Sequence, residues 1–315
     1  MNAAVIGSFV VDLMARTPHL PEPGETVRGS LFQMGPGGKG ANQAIAAKRA
    51  GCDLLFSTKL GTDAFADVAL RSFQENGIST QYVFTTEQAP TGAALISVEE
   101  GTSQNSIIVI PGACETFSPT DLAQVGQALA KGSYLLLQLE INMDATEQLA
   151  ALADEKDLKL ILNPAPMQPL PDTLYQKLYL ITPNEVEASQ LSGLPCRTTA
   201  DCDAISNFFF QRGVSNVIIT RGSDGVYLND GSGGMVLENY PVTVKDTTGA
   251  GDAFNGGLLA GLSQGRSLQE AAAFGHVVSN LAVTRLGTAP AMPDQAEIAA
   301  FIAAHGLRLP HPITE

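Results

Sequence analysis

Short apolar runs without polar alternation constrain this chain most. Ser133 to Leu139 is one, Leu158 to Asn163 and Leu178 to Thr182 repeat it, and Asn216 to Thr220 reads as a further strand. A strand of this kind is buried on both faces, the condition that a parallel sheet covered by helices provides. Ala3 to Ser8 and Leu54 to Leu60 read as strands of the same sheet. Between them lie helical stretches. Ala44 to Gly51 is alanine-rich and closed by glycine, and Asp63 to Gly77 carries Phe65, Val68, Leu70 and Phe73 along one stripe. Ser118-Pro119-Thr120-Asp121 opens another helix, and Leu268 to Leu286 and Asp294 to Gly306 are two more. The expected fold class is α/β, a mostly parallel central sheet with helices on both faces.

The alternation breaks once. Thr91 to Glu99 and Ser106 to Ile110 form a candidate hairpin through Glu100-Gly101-Thr102-Ser103. With the extended stretch Thr26 to Met34 they make a small separate sheet, a lid over the carboxyl edge of the main one. The expectation is a single domain over residues 1–315, with a lid from residues of about 13–34 and 91–110 inserted in it. Val10 to Met14 either extends the first strand or begins a loop.

Composition narrows the partners. Of 315 residues 44% are hydrophobic and 16% charged, enough for one large core. No run reaches the ~18 apolar residues of a membrane span. The start, Met1-Asn2-Ala3-Ala4-Val5-Ile6-Gly7, has no basic segment before its apolar run, so no signal peptide is expected. Cys52, Cys114, Cys196 and Cys202 are scattered, which fits reduced thiols and a cytoplasmic protein better than a disulfide frame or a zinc site. The formal net charge of −14 argues against nucleic acid. An anionic substrate would be held by local amides, a metal or a few cations.

Two glycine-rich stretches carry chemistry. Asp246-Thr247-Thr248-Gly249-Ala250-Gly251-Asp252 follows a β-like run, Tyr240 to Lys245, and opens an apolar helix from Ala253 to Leu262. The amides of Gly249, Ala250 and Gly251 sit where a helix has unsatisfied donors and positive dipole charge, which suits a phosphate. Asp252 beside them is either a general base for an alcohol attacking a phosphoryl group or a helix cap. The second stretch is Gly35-Pro36-Gly37-Gly38-Lys39-Gly40-Ala41-Asn42-Gln43. It matches the spacing of a dinucleotide loop but does not follow the first strand, and Gly40 after Lys39 excludes a Walker A motif. Backbone held close to a ligand remains, with Lys39 and Asn42 able to hydrogen-bond it. A purely structural loop is the other reading.

Other candidates end strands or start helices. Asp12, between apolar neighbours, is a turn residue or a ligand contact. Glu140 at the tip of its strand is a terminator or lies where open α/β sheets bind ligands. Asn184 and Glu187 suit a helix cap equally with a water-mediated Mg²⁺ or phosphate site. His276 reads as a core or surface histidine.

Taken together, these motifs resemble the ribokinase family, the PfkB-type carbohydrate kinases. The resemblance runs from Gly7-Ser8 to Gly287 and rests on Gly37 to Gln43 and Asp246 to Asp252, in that order. Leu162-Asn163-Pro164-Ala165-Pro166, the Asn184 and Glu187 pair, and Thr220, Gly222 and Gly225 add to it. It implies ATP-dependent phosphorylation of a sugar, with Asp252 as base and Gly249, Ala250 and Gly251 as anion hole. Asn184 and Glu187 would organise Mg²⁺ and the ATP phosphates. Thr220, Arg221, Gly222, Ser223, Asp224, Gly225 and His276 would border the nucleotide. Asp12 and Glu140, with Gly38, Lys39, Gly40, Ala41 and Asn42, would hold sugar hydroxyls. Asp246, Thr248, Ala282, Arg285, Gly287 and Ala291 fall where the family binds a monovalent cation such as K⁺, although Ala291 departs from the serine often found there. A homodimer paired through the lid is implied as well. Val10 is a second departure, because ribokinases carry asparagine at that place. Deoxyribokinases are also apolar there, and Asp63 to Asp67 and Asn105-Ser106-Ile107 are similar to theirs. The resemblance points to 2-deoxy-D-ribose, with D-ribose competing. Another small sugar or nucleoside, or a non-catalytic sensor of either ligand, is the alternative.

Overall fold

The computed structural model describes residues 2–102 and 104–307, so Met1 and Ser103 of the expected hairpin turn lie outside the described residues. Its strands are β1 (Ala3–Ile6), β2 (Val10–Thr17), β3 (Leu31–Gly37), β4 (Leu54–Leu60), β5 (Tyr82–Thr85), β6 (Thr91–Glu99), β7 (Asn105–Gly112), β8 (Tyr134–Leu137), β9 (Lys159–Leu162), β10 (Leu180–Ile181), β11 (Asn216–Thr220), β12 (Val226–Asn229) and β13 (Gly234–Leu237). The helices are α1 (Lys39–Arg49), α2 (Ala64–Glu75), α3 (Pro119–Ala128), α4 (Met143–Glu155), α5 (Asp172–Tyr175), α6 (Glu185–Ser192), α7 (Thr199–Phe210), α8 (Ala250–Ser263), α9 (Leu268–Ala282) and α10 (Gln295–Ala304).

Each of the unalternating apolar runs lies in one nine-stranded sheet, ordered β13-β12-β11-β10-β9-β8-β1-β4-β5. From β11 to β5 all neighbours are parallel. In β1, Ala3 and Val5 enter one core layer while Ala4 and Ile6 enter the other. Both faces of the strand are dry, so no alternation survives. Helices α1, α2 and α8 to α10 supply the first layer, and α3 to α7 the second. From β1 the chain goes to β4 and β5 on one side, and it returns through β8 on the other. The gap between β1 and β8 is therefore the switch point where open sheets hold ligands at their carboxyl ends.

The second sheet has four strands, ordered β3-β2-β6-β7. Val10 to Met14 does not extend the first strand. The chain leaves the large sheet at Gly7, and β2 pairs antiparallel with β3 and parallel with β6. Residues 26–30 carry no strand, and β3 runs on through Pro36 to Gly37. One face of this sheet exposes Phe32 (65%), Met34, Leu95, Ile108 and Ile110.

Three expectations change. Tyr240 to Lys245 is not a strand, because the sheet already ends at β13 and the amides of Lys245 and Asp246 bond the Val283 carbonyl instead. The helix expected to reach Leu286 stops at Ala282, before a turn at Gly287, where φ is +87°. The antiparallel pair β12 and β13 extends the parallel sheet where no strand was foreseen. Among the described residues no helix is long and apolar enough to cross a membrane.

Candidate active site

Asp252 lies in the first turn of α8 and is 7% exposed. It does not cap its helix. The N-cap is Gly249, in the left-handed region at φ +76°, and no side chain caps it. The first amides of α8 are thus not consumed by a cap: Ala250 donates to the Thr247 carbonyl at 3.2 Å, while those of Gly249 and Gly251 find no acceptor among the described residues. The Asp252 carboxylate is instead held by amides of α1. Asn42 Nδ2 donates to Oδ2 at 3.0 Å and Gln43 Nε2 donates to Oδ1 at 2.9 Å.

This corner opens on a cavity of about 160 Å³ lined by Lys39, Asn163, Thr182, Asn184, Glu187, Thr220, Thr247, Asn255 and residues 249–252. Asn163, Thr182 and Thr220 end β9, β10 and β11, so the cavity sits outside the carboxyl edge of the sheet. Polar residues that terminate apolar runs are where such a sheet meets its ligand.

Helix α1 enters from the other side of the switch point. Its N-cap, Gly38, has φ +90°, and a Cβ there would lie 2.8 Å from the Val10 nitrogen. A Cβ on Gly37 would strike the Asp12 carboxylate. Glycine lets the loop press against β2, which brings Asp12 and Val10 to the mouth of α1. Glu140 closes the same edge: it accepts from Ser8 Oγ and, at 2.9 Å, from the Lys39 amide.

The electrostatics are those of crowded carboxylates. Burial, then the charges of Glu140 and Asp252, push Asp12 up to about 6 from 3.8. Burial also raises Glu140 and Glu187. Burial pulls Lys39 down, yet Asp252, Glu140 and Glu187 together outweigh it and hold the ammonium above its ordinary value. Lys39 is the charge these acids share.

Asn184 and Glu187 form a capping box at the start of α6 and also face the cavity. Both readings of the pair are therefore compatible. After Thr220, Arg221 is buried and its Nη2 donates to Asp224 and to the Arg197 carbonyl, both at 3.2 Å. Ser223 lies in the short 3-10 turn Gly222–Asp224, closed by Gly225 at φ +79°. His276 is not at the cavity. It is buried on α9, burial lowers its pKa, and its Nε2 lies 3.1 Å from the Glu238 carbonyl. The next residue, Asn239, donates to the Gly222 carbonyl at 2.9 Å, so His276 stands behind the Gly222 loop.

The remaining group is assembled by Asp246, whose carboxylate accepts from the amides of Thr248 and Gly287, each at 2.9 Å. Burial would raise Asp246, but the Gly287 and Thr248 bonds hold it below the usual range. Ala282 ends α9 and its carbonyl accepts from the Arg285 amide at 3.1 Å. Arg285 pairs with Glu297 at 2.7 Å, and Ala291 is buried in a short turn. Gln43, Gln138, Thr182 and Asn255 were not foreseen as site residues. Their only signal was position, since Gln138 and Thr182 are polar residues at strand tips and Gln43 follows Asn42.

A switch-point cavity with a buried aspartate beside open helix amides can serve phosphoryl transfer to an alcohol. Over residues 2–295 the chain matches the model of the pfkB family carbohydrate kinases, and it belongs to that family. It is 35% identical over 298 residues to the ribokinase of Haemophilus influenzae, covering 95% of this chain and 97% of that one. It is 33% identical over 295 residues to the deoxyribokinase of Salmonella typhimurium, covering 93% and 96%. The ribokinase of Arabidopsis thaliana, solved with ribose and ATP, superposes with a TM-score of 0.87 at 30% identity, covering 95% and 98%. The chain is thus an ATP-dependent carbohydrate kinase of the ribokinase and deoxyribokinase type.

The raised pKa of Asp12 has a stability consequence. The native state binds this proton more tightly than the unfolded chain, so the contribution is full below 3.8 and is lost as pH rises through about 6. Asp12→Asn removes the buried charge. It is expected to raise the melting temperature at pH 8 and to raise it less at pH 5, while KM for the sugar increases. Calorimetry at the two pH values checks the first part; an equal shift at both would contradict it.

Proposed function

We propose that this kinase transfers the γ-phosphoryl group of ATP to the O5 hydroxyl of 2-deoxy-D-ribose, with D-ribose as a competing substrate. The observation that carries the sugar assignment is Val10, 4% exposed, against Gly38 and two residues from Asp12 on β2. A valine offers no hydrogen bond. A sugar lacking one hydroxyl then leaves no buried group of the protein unpaired, whereas ribose brings a hydroxyl without that partner. Asp12, Glu140, Lys39 and Asn42, with the backbone of Gly38 to Ala41, form the sugar subsite in this reading. Asn184, Glu187 and residues 220–225 form the nucleotide subsite, with His276 supporting it from behind.

In the chemical step Asp252 takes the O5 proton as O5 bonds to the γ-phosphorus. The bond from that phosphorus to the bridging oxygen breaks and ADP leaves. The amides at Gly249 to Gly251 receive the charge on the transferred group. Their support is the uncapped start of α8 and the open space in front of Gly251.

Mg²⁺ fits the donor set as a water- and phosphate-held ion. Glu187 gives one oxygen to the capping box, and among the described residues no cluster of three or more His, Cys, Asp or Glu could cage a metal. Bound with ATP, it would neutralise phosphate charge. The same reading puts a monovalent cation, K⁺ in the family, at Asp246, Thr248, Ala282, Arg285, Gly287 and Ala291, where the Asp246 carboxylate ties the Thr248 and Gly287 amides together. The exposed apolar face of the small sheet supports a homodimer paired through that sheet, a lid over the site.

Release of ADP with each sugar tests the assignment: kcat/KM for 2-deoxy-D-ribose should equal or exceed that for D-ribose, and a preference for ribose of about a hundredfold or more would sink it. In the same assay chelation of Mg²⁺ should abolish activity and Na⁺ in place of K⁺ should lower it. Asp252→Asn is expected to fold normally and lose roughly 10²–10⁴ in kcat. Near-native turnover would remove its role as base. Sedimentation should give twice the 32.9 kDa chain mass, and a monomer at micromolar concentration would refute the pairing.

A further inference from the structure

The amides around Asp252 are oriented at a cost. Gln43 is fully buried, and its Nε2 donates both to Asp252 Oδ1, at 2.9 Å, and to Asn163 Oδ1, at 3.0 Å. Both hydrogens of that nitrogen are therefore spent. What fixes this orientation is Gln138, also fully buried and one residue past β8, whose Nε2 donates to Gln43 Oε1 at 2.6 Å. Turned over, Gln43 would aim an acceptor at the carboxylate and at Asn163, and a donor at the Gln138 donor. The price appears in the atoms left over. Gln138 Oε1 is buried against Gly7 without a hydrogen-bond partner, and so is Asn42 Oδ1, whose nitrogen serves Asp252 Oδ2. Two buried acceptors go unpaired while each amide nitrogen points toward the base, directly or through Gln43.

We infer that Gln138 and Gln43 are positioning residues for the phosphoryl transfer, a two-amide relay that fixes the plane and the free lone pair of Asp252. This rests on the reading of Asp252 as the base. A carboxylate clamped through one lone pair of each oxygen keeps the others for the acceptor hydroxyl. A network selected for stability alone would pair those oxygens or replace the amides with apolar side chains, which can be neutral or stabilising.

The test compares Gln43→Met, Gln138→Met and Asp252→Asn in steady-state kinetics across pH, with melting temperatures. Methionine keeps the length of glutamine and removes its hydrogen bonds. Gln43→Met should lose roughly 10- to 100-fold in kcat and Gln138→Met about 3- to 10-fold, with KM for sugar and ATP within about threefold of the native values. The melting temperature of Gln138→Met should change little, because the orphaned Gln138 Oε1 is removed while Gln43 Oε1 loses its donor. Gln138→Glu adds a signature: its protonated form can donate to Gln43, so its activity relative to the native enzyme should increase as pH falls. If the two methionine variants keep native kcat while Asp252→Asn is inactive, the relay is wrong and the base stands. If they lose melting temperature with kcat unchanged, the amides are structural. If Asp252→Asn keeps near-native kcat, the base itself fails and the relay with it.

Discussion

The Asp252 carboxylate joins parts of the chain that are far apart in sequence. Two amides from α1, some 210 positions earlier, hold its oxygens. A ring of hydrogen bonds closes behind it. Gln43 reaches Asn163, Asn163 donates to the Thr182 carbonyl, Thr182 donates to Asn255, and Asn255 donates to the Gly251 carbonyl. The proposed base and the glycine of its anion hole are thus tied to the tips of β9 and β10 by groups that are almost wholly buried. In a low-dielectric site such bonds are strong when complete and costly when broken. The carboxyl edge of the large sheet is therefore a rigid plate, on which the helix dipole of α8 and the loop of α1 face one another.

Charge is distributed against the substrate rather than for it. The chain carries −14 overall, and Glu140, Glu187 and Asp252 crowd a single lysine. ATP cannot be drawn in by a general positive field. In the proposed reading Lys39 and backbone amides provide the local attraction, and a divalent ion arriving with the nucleotide would supply the rest. Burial, and after it the charges of Glu140 and Asp252, explains why Asp12 is pushed up to about 6. In the proposed sugar subsite this half-buried carboxylate is an acceptor for a sugar hydroxyl.

Much of this was readable from residue order. The unalternating runs at Ser133 to Leu139 and Leu158 to Asn163 dictated a sheet covered on both sides, since only a strand dry on both faces needs no polar residues. Glycines at 37, 38 and 249 marked where backbone must approach closely or turn left-handed. The pair Asn184 and Glu187 suited either a helix cap or an Mg²⁺ or phosphate site, and the helix start forms the capping box. Tyr240 to Lys245 misled because β-forming residues need a neighbouring strand, and the sheet had ended. The hairpin of β12 and β13 escaped because two four-residue strands lack the length to register a period.

Sequence by itself settled the parallel strands, most of the helices and where a close loop must be glycine, because those follow from periodicity and from backbone sterics. It also set the two motifs that mark the family. Only the tertiary structure decided that Gln43 rather than a cap holds Asp252, that Gln138 holds Gln43, and that His276 stands behind the Gly222 loop. Hydrogen bonds between residues 95 to 209 positions apart, as in this relay, leave no periodic trace in a chain. They exist only once the sheet order has brought the tips of β1, β8, β9 and β10 to one edge.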